Sequence, residues 1–235
     1  MGAGMADKVP VLVTGGAGNI GSHAVLALKD AVRVVELHTV TYLGAHERLI
    51  GYLREQGLSG REANALAGVW LRHGDFLLSE FEGHFSHVVG NPPYVRQELV
   101  PDVLMAEYRR RYATIYDRAD LYVPFIERGL SLLGSRGKLG FICADRWMKN
   151  RYGAPLRRLV AEKYHLQTYV DMVDTPAFHS DVIAYPAVFV IANEPAGATR
   201  IAHRPEISVN VLQPLARALQ SGKHHDGVTE VSGIA

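Results

Sequence analysis

The segment Asn91-Pro92-Pro93-Tyr94 places an amide, two ring-locked backbone positions and an aromatic side chain at fixed spacing. Two consecutive prolines remove two backbone N–H donors and fix φ, so the segment continues neither a strand nor a helix. The exocyclic amine of a planar base needs acceptors for its protons and a ring on which the base stacks. Asn91 Oδ1 and the Pro92 carbonyl are such acceptors, and Tyr94 offers the ring. The alternative interpretation is a proline turn that only ends a strand.

A second candidate is the glycine-rich segment 14–21, which lies between an apolar run and a helical pattern. Gly15, Gly16 and Gly18 allow a tight turn and a close approach of the backbone to a ligand, and the following helix can offer N–H groups to an anion. Glu36 stands 21 positions after Gly15, where a carboxylate accepts hydrogen bonds from ribose hydroxyls. The pattern predicts a nucleotide-like ligand, with a tight turn that binds nothing as the alternative.

These residues must be positioned by a sheet, because both segments follow short apolar runs. The alternation of such runs with amphipathic helical stretches predicts an α/β fold with a mostly parallel sheet, whose carboxyl edge is the place where ligands bind. After Asn193 the periodicity fades, which predicts a loose tail. We predict strands over 9–14, 32–36, 74–78, 87–90, 138–144, 166–172 and 187–192, and helices over 22–29, 42–56, 61–71, 120–133 and 155–163.

The run FSHVVGNPPY resembles a motif of the N6-adenine DNA methyltransferases of restriction-modification systems. The resemblance covers about residues 34–193 and extends to VVELHTVTYLGAHERL, HGDFLL, DRADLYVPFIERGLSLL, GKLGFICADRWMKNRYGAPLRRLV and DTPAFHSDVIAYPAVFVIAN. It implies a Rossmann-like class I S-adenosylmethionine-dependent methyltransferase fold, with a mostly parallel seven-stranded sheet and helices on both faces. It also implies methyl transfer from S-adenosylmethionine to the N6 amine of a flipped adenine in double-stranded DNA.

The same resemblance implies roles for individual residues. Asp75 would accept a hydrogen bond from the adenine amine of the cofactor, Phe76 would border that ring, and Phe178 would lie near the flipped base. Asn91, Pro92, Pro93 and Tyr94 would be catalytic, with Tyr94 also contacting the base. The cofactor-binding set would be Gly15, Gly16, Gly18, Glu36, Leu37, Asp75, Phe76 and Asn91.

The start of the chain has a different resemblance. VLVTGGAGNIGSHAVLAL, over about residues 9–30, resembles the N-terminal fingerprint of the UDP-glucose 4-epimerases within the extended short-chain dehydrogenase/reductase family, which implies NAD. That family catalyses with a Tyr-x-x-x-Lys pair, and none of the eleven tyrosines has a lysine four positions later. The methylase family usually has an acidic residue and a shorter glycine turn at this place. An NAD-binding sugar-nucleotide epimerase or reductase is one alternative function, and the missing Tyr-x-x-x-Lys pair weighs against it.

The two resemblances predict three parts of the chain. Residues 1–35 would form an epimerase-like first strand, glycine loop and helix, and residues 36–195 the methyltransferase body in the same sheet. Residues 196–235 would be a tail or the start of a missing target-recognition region, so DNA recognition is expected to need a separate or missing domain. An inactive, truncated methylase is a further alternative.

Composition excludes several classes of protein. The 235 residues are 48% hydrophobic and 21% charged, with a net charge of +1, which excludes a basic protein that coats nucleic acid non-specifically. The single cysteine, Cys143, excludes a disulfide framework and a cysteine-built zinc site, and no histidine pair has convincing metal-ligand spacing. Without an apolar run of roughly 20 residues or a secretory signal pattern, we expect no membrane contact and a cytoplasmic location.

Charge is concentrated in the middle of the chain. Residues 96–165 contain 14 basic and 8 acidic side chains, a local net charge of +6. A solvated basic helix face is the alternative to contact with DNA phosphates, which is predicted for Arg109, Arg110, Arg111, Arg146, Lys149, Arg151, Arg157 and Arg158. Asp145 follows a predicted strand and could line the pocket, whereas Cys143, Trp70 and Trp147 are predicted to be packing residues.

Overall fold

The computed structural model describes residues 11–14, 32–175 and 186–232. Three predictions lie outside these residues: the glycine loop with Gly15, Gly16 and Gly18, the helix over 22–29, and the position of Phe178.

The described residues form one nine-stranded sheet with the order β3-β2-β1-β4-β5-β7-β6-β8-β9. Five of the neighbouring pairs are parallel, and the pairs β5–β7, β6–β7 and β8–β9 are antiparallel. The seven predicted strands are therefore extended by two more, β8 and β9. The strands are β1 Val11–Thr14, β2 Val32–Glu36, β3 Leu71–His73, β4 Phe85–Gly90, β5 Leu133–Ala144, β6 His165–Asp171, β7 Pro186–Ala192, β8 Ala198–His203 and β9 Thr229–Ser232.

Helices pack on both faces of the sheet. The side chains of Val34 and Val35 point to opposite faces of β2, since successive strand residues alternate, and each joins a different apolar cluster. The helices are α1 Thr39–Glu55, α2 Gly60–Trp70, α3 Asp102–Arg111, α4 Tyr122–Ser131, α5 Arg146–Lys149, α6 Ala154–Lys163 and α7 Val209–Ser221, with 3-10 turns at Gln97–Leu99 and Arg151–Gly153.

The larger cluster lies between the central strands and the helices α4 and α6. Leu139, Phe141 and Phe189 of the strands are at most 1% exposed and belong to the same cluster as Ile126 of α4 and Leu156 of α6. On the opposite face, α1 and α2 cover β2 and β3 through Leu49, Leu53, Ala63, Ala67 and Trp70. Cys143, Trp147 and Trp70 are all buried. Their burial confirms the prediction that they are packing residues.

Two predicted element boundaries are wrong. The third strand is Leu71–His73 and not 74–78, because α2 ends at Trp70 and the chain turns at Asp75, whose carbonyl accepts from the N–H groups of Leu78 and Ser79. The helix predicted over 120–133 is shorter, Tyr122–Ser131, since Leu133 already pairs with Phe85 as the first residue of β5.

The loose tail predicted after Asn193 is also wrong for residues 198–232. β8 pairs with β6, and α7 packs Leu215 and Leu219 against Val170, Met172 and Ala202. The signal is weak in the sequence, because β8 (ATRIAH) mixes polar and small residues and α7 contains Pro214. Tertiary burial of an amphipathic face supplies the stability that local propensity lacks.

The imidazole of His165, the first residue of β6, contacts the segment after β7 and the first residue of β8. Its Nδ1 lies 2.8 Å from the Glu194 carboxylate and its Nε2 lies 3.0 Å from the Ala198 carbonyl oxygen. Both partners are hydrogen-bond acceptors. Hydrogen bonds from His165 and then from Gln167 lower the pKa of Glu194 below its ordinary value of 4.5.

We therefore expect the Glu194 carboxylate to stabilise the fold above pH 4.5 and to lose this contribution as pH falls through its lowered pKa in the folded state. In urea unfolding at pH 5.5, 4.5 and 3.0, the stability difference between the wild type and Glu194→Gln should shrink with falling pH. Glu206→Gln, an exposed position, is the control and should show no such trend. A constant difference across the series would contradict the pairing.

Candidate functional site

The candidate site lies at the edge of the sheet where the parallel strands β1, β2, β3, β4 and β5 end. Glu36 ends β2, Gly90 ends β4 immediately before Asn91, and Asp145 follows β5. Because these neighbouring strands are parallel, their carboxyl ends meet at one edge, which is where ligands bind in open α/β sheets. The fold therefore brings Glu36, Asp75, Asn91 and Asp145 to the same side of the domain.

Asn91 carries the most unusual polar atom at this edge. Its Oδ1 is fully buried and has no hydrogen-bond partner, one of three such side-chain atoms in the part of the chain that the structure describes. A buried acceptor without a donor costs about 1–3 kcal/mol, and the large majority of buried polar atoms in proteins are satisfied. This amide stands between the end of β4 and two prolines, and the described residues provide no donor for its oxygen.

Tyr94 lies three residues after Asn91 and has a partly exposed ring. Pro92 is buried, whereas Tyr94 is 40% exposed, so one part of the ring faces solvent. Its centroid lies 6.4 Å from that of Tyr122, and the two rings are tilted by 54°. Partial burial, and then the nearby Cys143 thiol, raises the pKa of Tyr94, so its hydroxyl is neutral at physiological pH. The ring is therefore suited to stacking and not to proton transfer.

A clamp formed by residues 117–122 holds the segment that follows the prolines. The N–H of Leu121 donates to the Val95 carbonyl at 2.9 Å, and the Gln97 side-chain amide donates to the Asp117 carbonyl at 2.8 Å. Sequence reasoning assigned no role to this clamp beyond a helix.

The ring of Tyr122 at the end of the clamp is anchored in turn. Tyr122 is 1% exposed, and its hydroxyl is hydrogen-bonded to that of Tyr152. Burial and then this hydrogen bond raise the pKa of Tyr122. No local pattern reveals the pair, because its two members are 30 positions apart.

Glu36 and Leu37 lie at the end of β2, as predicted. Glu36 Oε1 accepts from the His38 N–H at 2.7 Å, which turns the carboxylate back along its own backbone. Leu37 is 66% exposed, and its carbonyl oxygen lies 3.0 Å from Nε2 of His73, the last residue of β3. These contacts position a carboxylate and an apolar side chain at the sheet edge, and the ribose-binding role that the resemblance implies stays a prediction.

Asp75 and Phe76 lie beyond β3 but point into different environments. The Asp75 carboxylate accepts from the Leu77 N–H at 2.8 Å and from the Tyr108 hydroxyl. Phe76 is 3% exposed and packs 5.1 Å, centroid to centroid, from Phe125. The structure therefore places Phe76 in the core, whereas the partly buried Asp75 keeps lone pairs for a further donor.

Four of the cations predicted to contact DNA have hydrogen bonds or other charge interactions within the protein. Arg109 donates to the Gln97 side-chain carbonyl at 2.5 Å, and Arg110 pairs with Glu107, a contact that lowers the pKa of Glu107 to about 2. Lys149 donates to the buried carboxylate of Asp145, which also accepts from the Tyr169 hydroxyl at 3.0 Å.

Arg146 also acts within the protein, since its charge opposes the burial that raises the pKa of Asp120. Asp145 is thus a structural acceptor, and each of the four cations has an interaction within the protein.

None of the helices in 32–175 and 186–232 is long and apolar enough to cross a membrane.

Comparison with known proteins identifies relatives of this domain. A family model described as Eco57I restriction-modification methylase matches residues 52–178. The Type II methyltransferase M.PaeR7I of Pseudomonas aeruginosa is 62% identical over 194 residues, which cover 83% of this chain and 34% of the relative. The Type II methyltransferase M.XhoI of Xanthomonas vasicola is 48% identical over 213 residues, 88% of this chain and 39% of the relative. The chain thus spans little more than a third of the length of these curated relatives.

A solved structure has the same fold. A protein from Listeria monocytogenes described as a class I S-adenosylmethionine-dependent methyltransferase superposes with a TM-score of 0.63 at 12% identity, covering 92% of this chain and 65% of that one. The predicted class I methyltransferase fold is therefore confirmed. The relatives at high identity are methyltransferases, so the epimerase alternative suggested by residues 9–30 is not favoured.

Proposed function

Because the chain belongs to the Eco57I restriction-modification methylase family, we propose that it transfers a methyl group from S-adenosylmethionine to the N6 amine of a flipped adenine in double-stranded DNA. The observation that carries this proposal is the buried, unpartnered Oδ1 of Asn91 at the carboxyl edge of the sheet. An exocyclic amine is a donor that would satisfy it, and the neighbouring Pro92 carbonyl would accept the second amine proton.

The chain's own residues would act mainly by positioning. The lone pair of an adenine amine is conjugated into the ring, so two acceptors that hold its protons favour a pyramidal nitrogen with an available lone pair. Tyr94 would hold the flipped base in place by stacking. Orientation of this kind contributes up to about 7–11 kcal/mol in favourable cases. No group with a pKa near 7 is needed, which fits a site whose tyrosine pKa is raised.

The described residues also fit the cofactor. S-adenosylmethionine supplies an activated methyl group when it is bound. Glu36 and Asp75 present carboxylates at the ends of adjacent strands, where they would accept hydrogen bonds from ribose hydroxyls and from an adenine amine. Gly15, Gly16 and Gly18 would complete the site, and Phe178 would lie near the base. We further propose that recognition of a DNA sequence needs a domain beyond this chain.

The function is tested by incubating the chain with labelled S-adenosylmethionine and duplex DNA, digesting the DNA to nucleosides, and identifying the labelled product. Label in N6-methyl-2′-deoxyadenosine supports the proposal, whereas label in a methylated deoxycytidine would refute adenine specificity. Calorimetric titration with S-adenosylmethionine and with NAD separates the remaining alternatives. Binding of NAD alone would favour the epimerase, and binding of neither would favour an inactive methylase.

Tyr94→Ala should raise the KM for DNA about five- to 150-fold, because base–aromatic stacking contributes about 1–3 kcal/mol. Tyr94→Phe keeps the ring and should stay within about threefold of the wild type. The check is steady-state methylation, together with the fluorescence of a duplex that carries 2-aminopurine at the target base. If Tyr94→Phe loses as much as Tyr94→Ala, the hydroxyl and not the ring does the binding.

A further inference from the structure

A groove of about 440 Å³ is lined by Tyr116 and by residues of α6 and its preceding turn. Its charged lining comprises Arg151, Arg158 and Lys163 against a single carboxylate, Glu162. Tyr116, which also lines the groove, is 43% exposed. A shallow, positively charged groove with an exposed aromatic ring has the character of a nucleic-acid surface.

The cations of this groove, of which Arg151 and Arg158 are also predicted from the sequence, have fewer contacts within the protein than Arg109, Arg110 and Lys149. Within the residues that the structure describes, Arg158 and Lys163 are exposed and have no hydrogen bond or ion pair. Arg151 only reaches the Tyr116 hydroxyl, at 3.5 Å. By contrast, the neighbouring Arg157 points inward and donates to the carbonyls of Trp147 and Asn150 at 2.6 and 2.8 Å. Cations without an internal partner neutralise a phosphate without first breaking a contact.

The groove is also connected to the ring that would hold the base. Arg151 precedes Tyr152, whose hydroxyl bonds to Tyr122, and the Tyr122 ring contacts Tyr94. Tyr116 immediately precedes the clamp of residues 117–122. Tyr152 and Tyr122 therefore link the turn that lines the groove to the ring of Tyr94.

We propose that this groove binds the phosphate backbone of the DNA substrate, with Arg151, Arg158 and Lys163 contacting phosphates and Tyr116 packing against a sugar. The inference rests on the proposed function and extends it by locating a backbone contact surface. It replaces Arg109 and Arg110, which the protein already engages, as the principal electrostatic contacts.

The test measures fluorescence anisotropy of a labelled duplex at several salt concentrations without cofactor. The slope of log affinity against log salt falls by about 0.9 for each phosphate that the protein no longer neutralises. The double variant Arg151→Gln/Arg158→Gln should lower the slope by about 1.8, twice that value, and weaken binding equally for unrelated sequences. The control, Arg54→Gln/Arg61→Gln, removes the same charge from exposed positions on α1 and α2 and should bind like the wild type.

Three outcomes would contradict the proposal that the groove binds DNA. The first is that the wild type does not bind the duplex at low salt, and the second is that the salt slope is equal in the two double variants. The third is that polyglutamate competes as strongly as DNA of equal charge, which would indicate an acidic protein partner. The assay needs no methyl transfer. A groove effect on binding in a chain without activity would therefore refute the proposed function alone, whereas an active chain with an unchanged slope would refute the groove alone.

Discussion

Replacing Asn91 with alanine is expected to lower the rate of methyl transfer about a hundredfold to a thousandfold without lowering the free energy of unfolding. The reduced rate follows from removing a preorganised hydrogen-bonding group from the reacting amine, which typically costs this much. The stability should stay equal or rise, because the deleted Oδ1 is buried and unpartnered in the chain itself. Methylation by labelled cofactor and urea unfolding measure the two effects on one preparation.

A second asparagine provides the matched control. The Asn193 side chain donates to the carbonyls of Leu133 and Gly134 at 3.3 and 3.0 Å, far along the chain from the candidate site. Asn193→Ala should therefore destabilise the fold by about 1–3 kcal/mol and leave the turnover of the folded fraction unchanged. If Asn91→Ala instead destabilises as much as Asn193→Ala and keeps its activity, Asn91 is a structural residue and the proposed mechanism is wrong.

The contrast between these two asparagines shows what sequence reasoning can and cannot supply. The strand before Asn91 and the proline turn after it are local patterns, so the location of Asn91 at the sheet edge could be predicted. The absence of a partner for its oxygen depends on all surrounding elements at once and emerges only from the structure. The same holds for the Tyr122–Tyr152 contact, which joins two segments with no shared periodicity.

Charge was the least predictable property of the site. A basic stretch such as Arg109-Arg110-Arg111 stands out in the sequence, yet Glu107 on the same helix face pairs with both Arg110 and Arg111. The spacings i,i+3 and i,i+4 make that pairing foreseeable in principle, since such residues are neighbours on a helix. Arg157 and Arg158 are adjacent, but only the geometry of α6 distinguishes the inward side chain from the exposed one.

Gly153→Ala should destabilise the fold by about 1–3 kcal/mol or more, through overpacking against backbone. A Cβ at Gly153 would lie 1.8 Å from the Trp147 carbonyl oxygen and 2.5 Å from its carbonyl carbon, so the turn or α5 must move. The φ of Gly153 is −79°, which any residue adopts, so the constraint is space and not backbone conformation. Urea unfolding measures the destabilisation, and methylation and DNA affinity should fall with it, because the displaced turn carries Arg151 and Tyr152.

The same substitution at Gly68 should have the opposite sign. Gly68 is an exposed position inside α2, and a Cβ there meets nothing within 4 Å. Alanine loses less backbone entropy on folding than glycine, so Gly68→Ala should stabilise the fold by about 0.5–1 kcal/mol. Two identical changes with opposite effects on unfolding separate the steric effect from helix propensity. If Gly153→Ala is neutral, the close approach to Trp147 is not a constraint, and the turn that carries Arg151 and Tyr152 can shift at little cost.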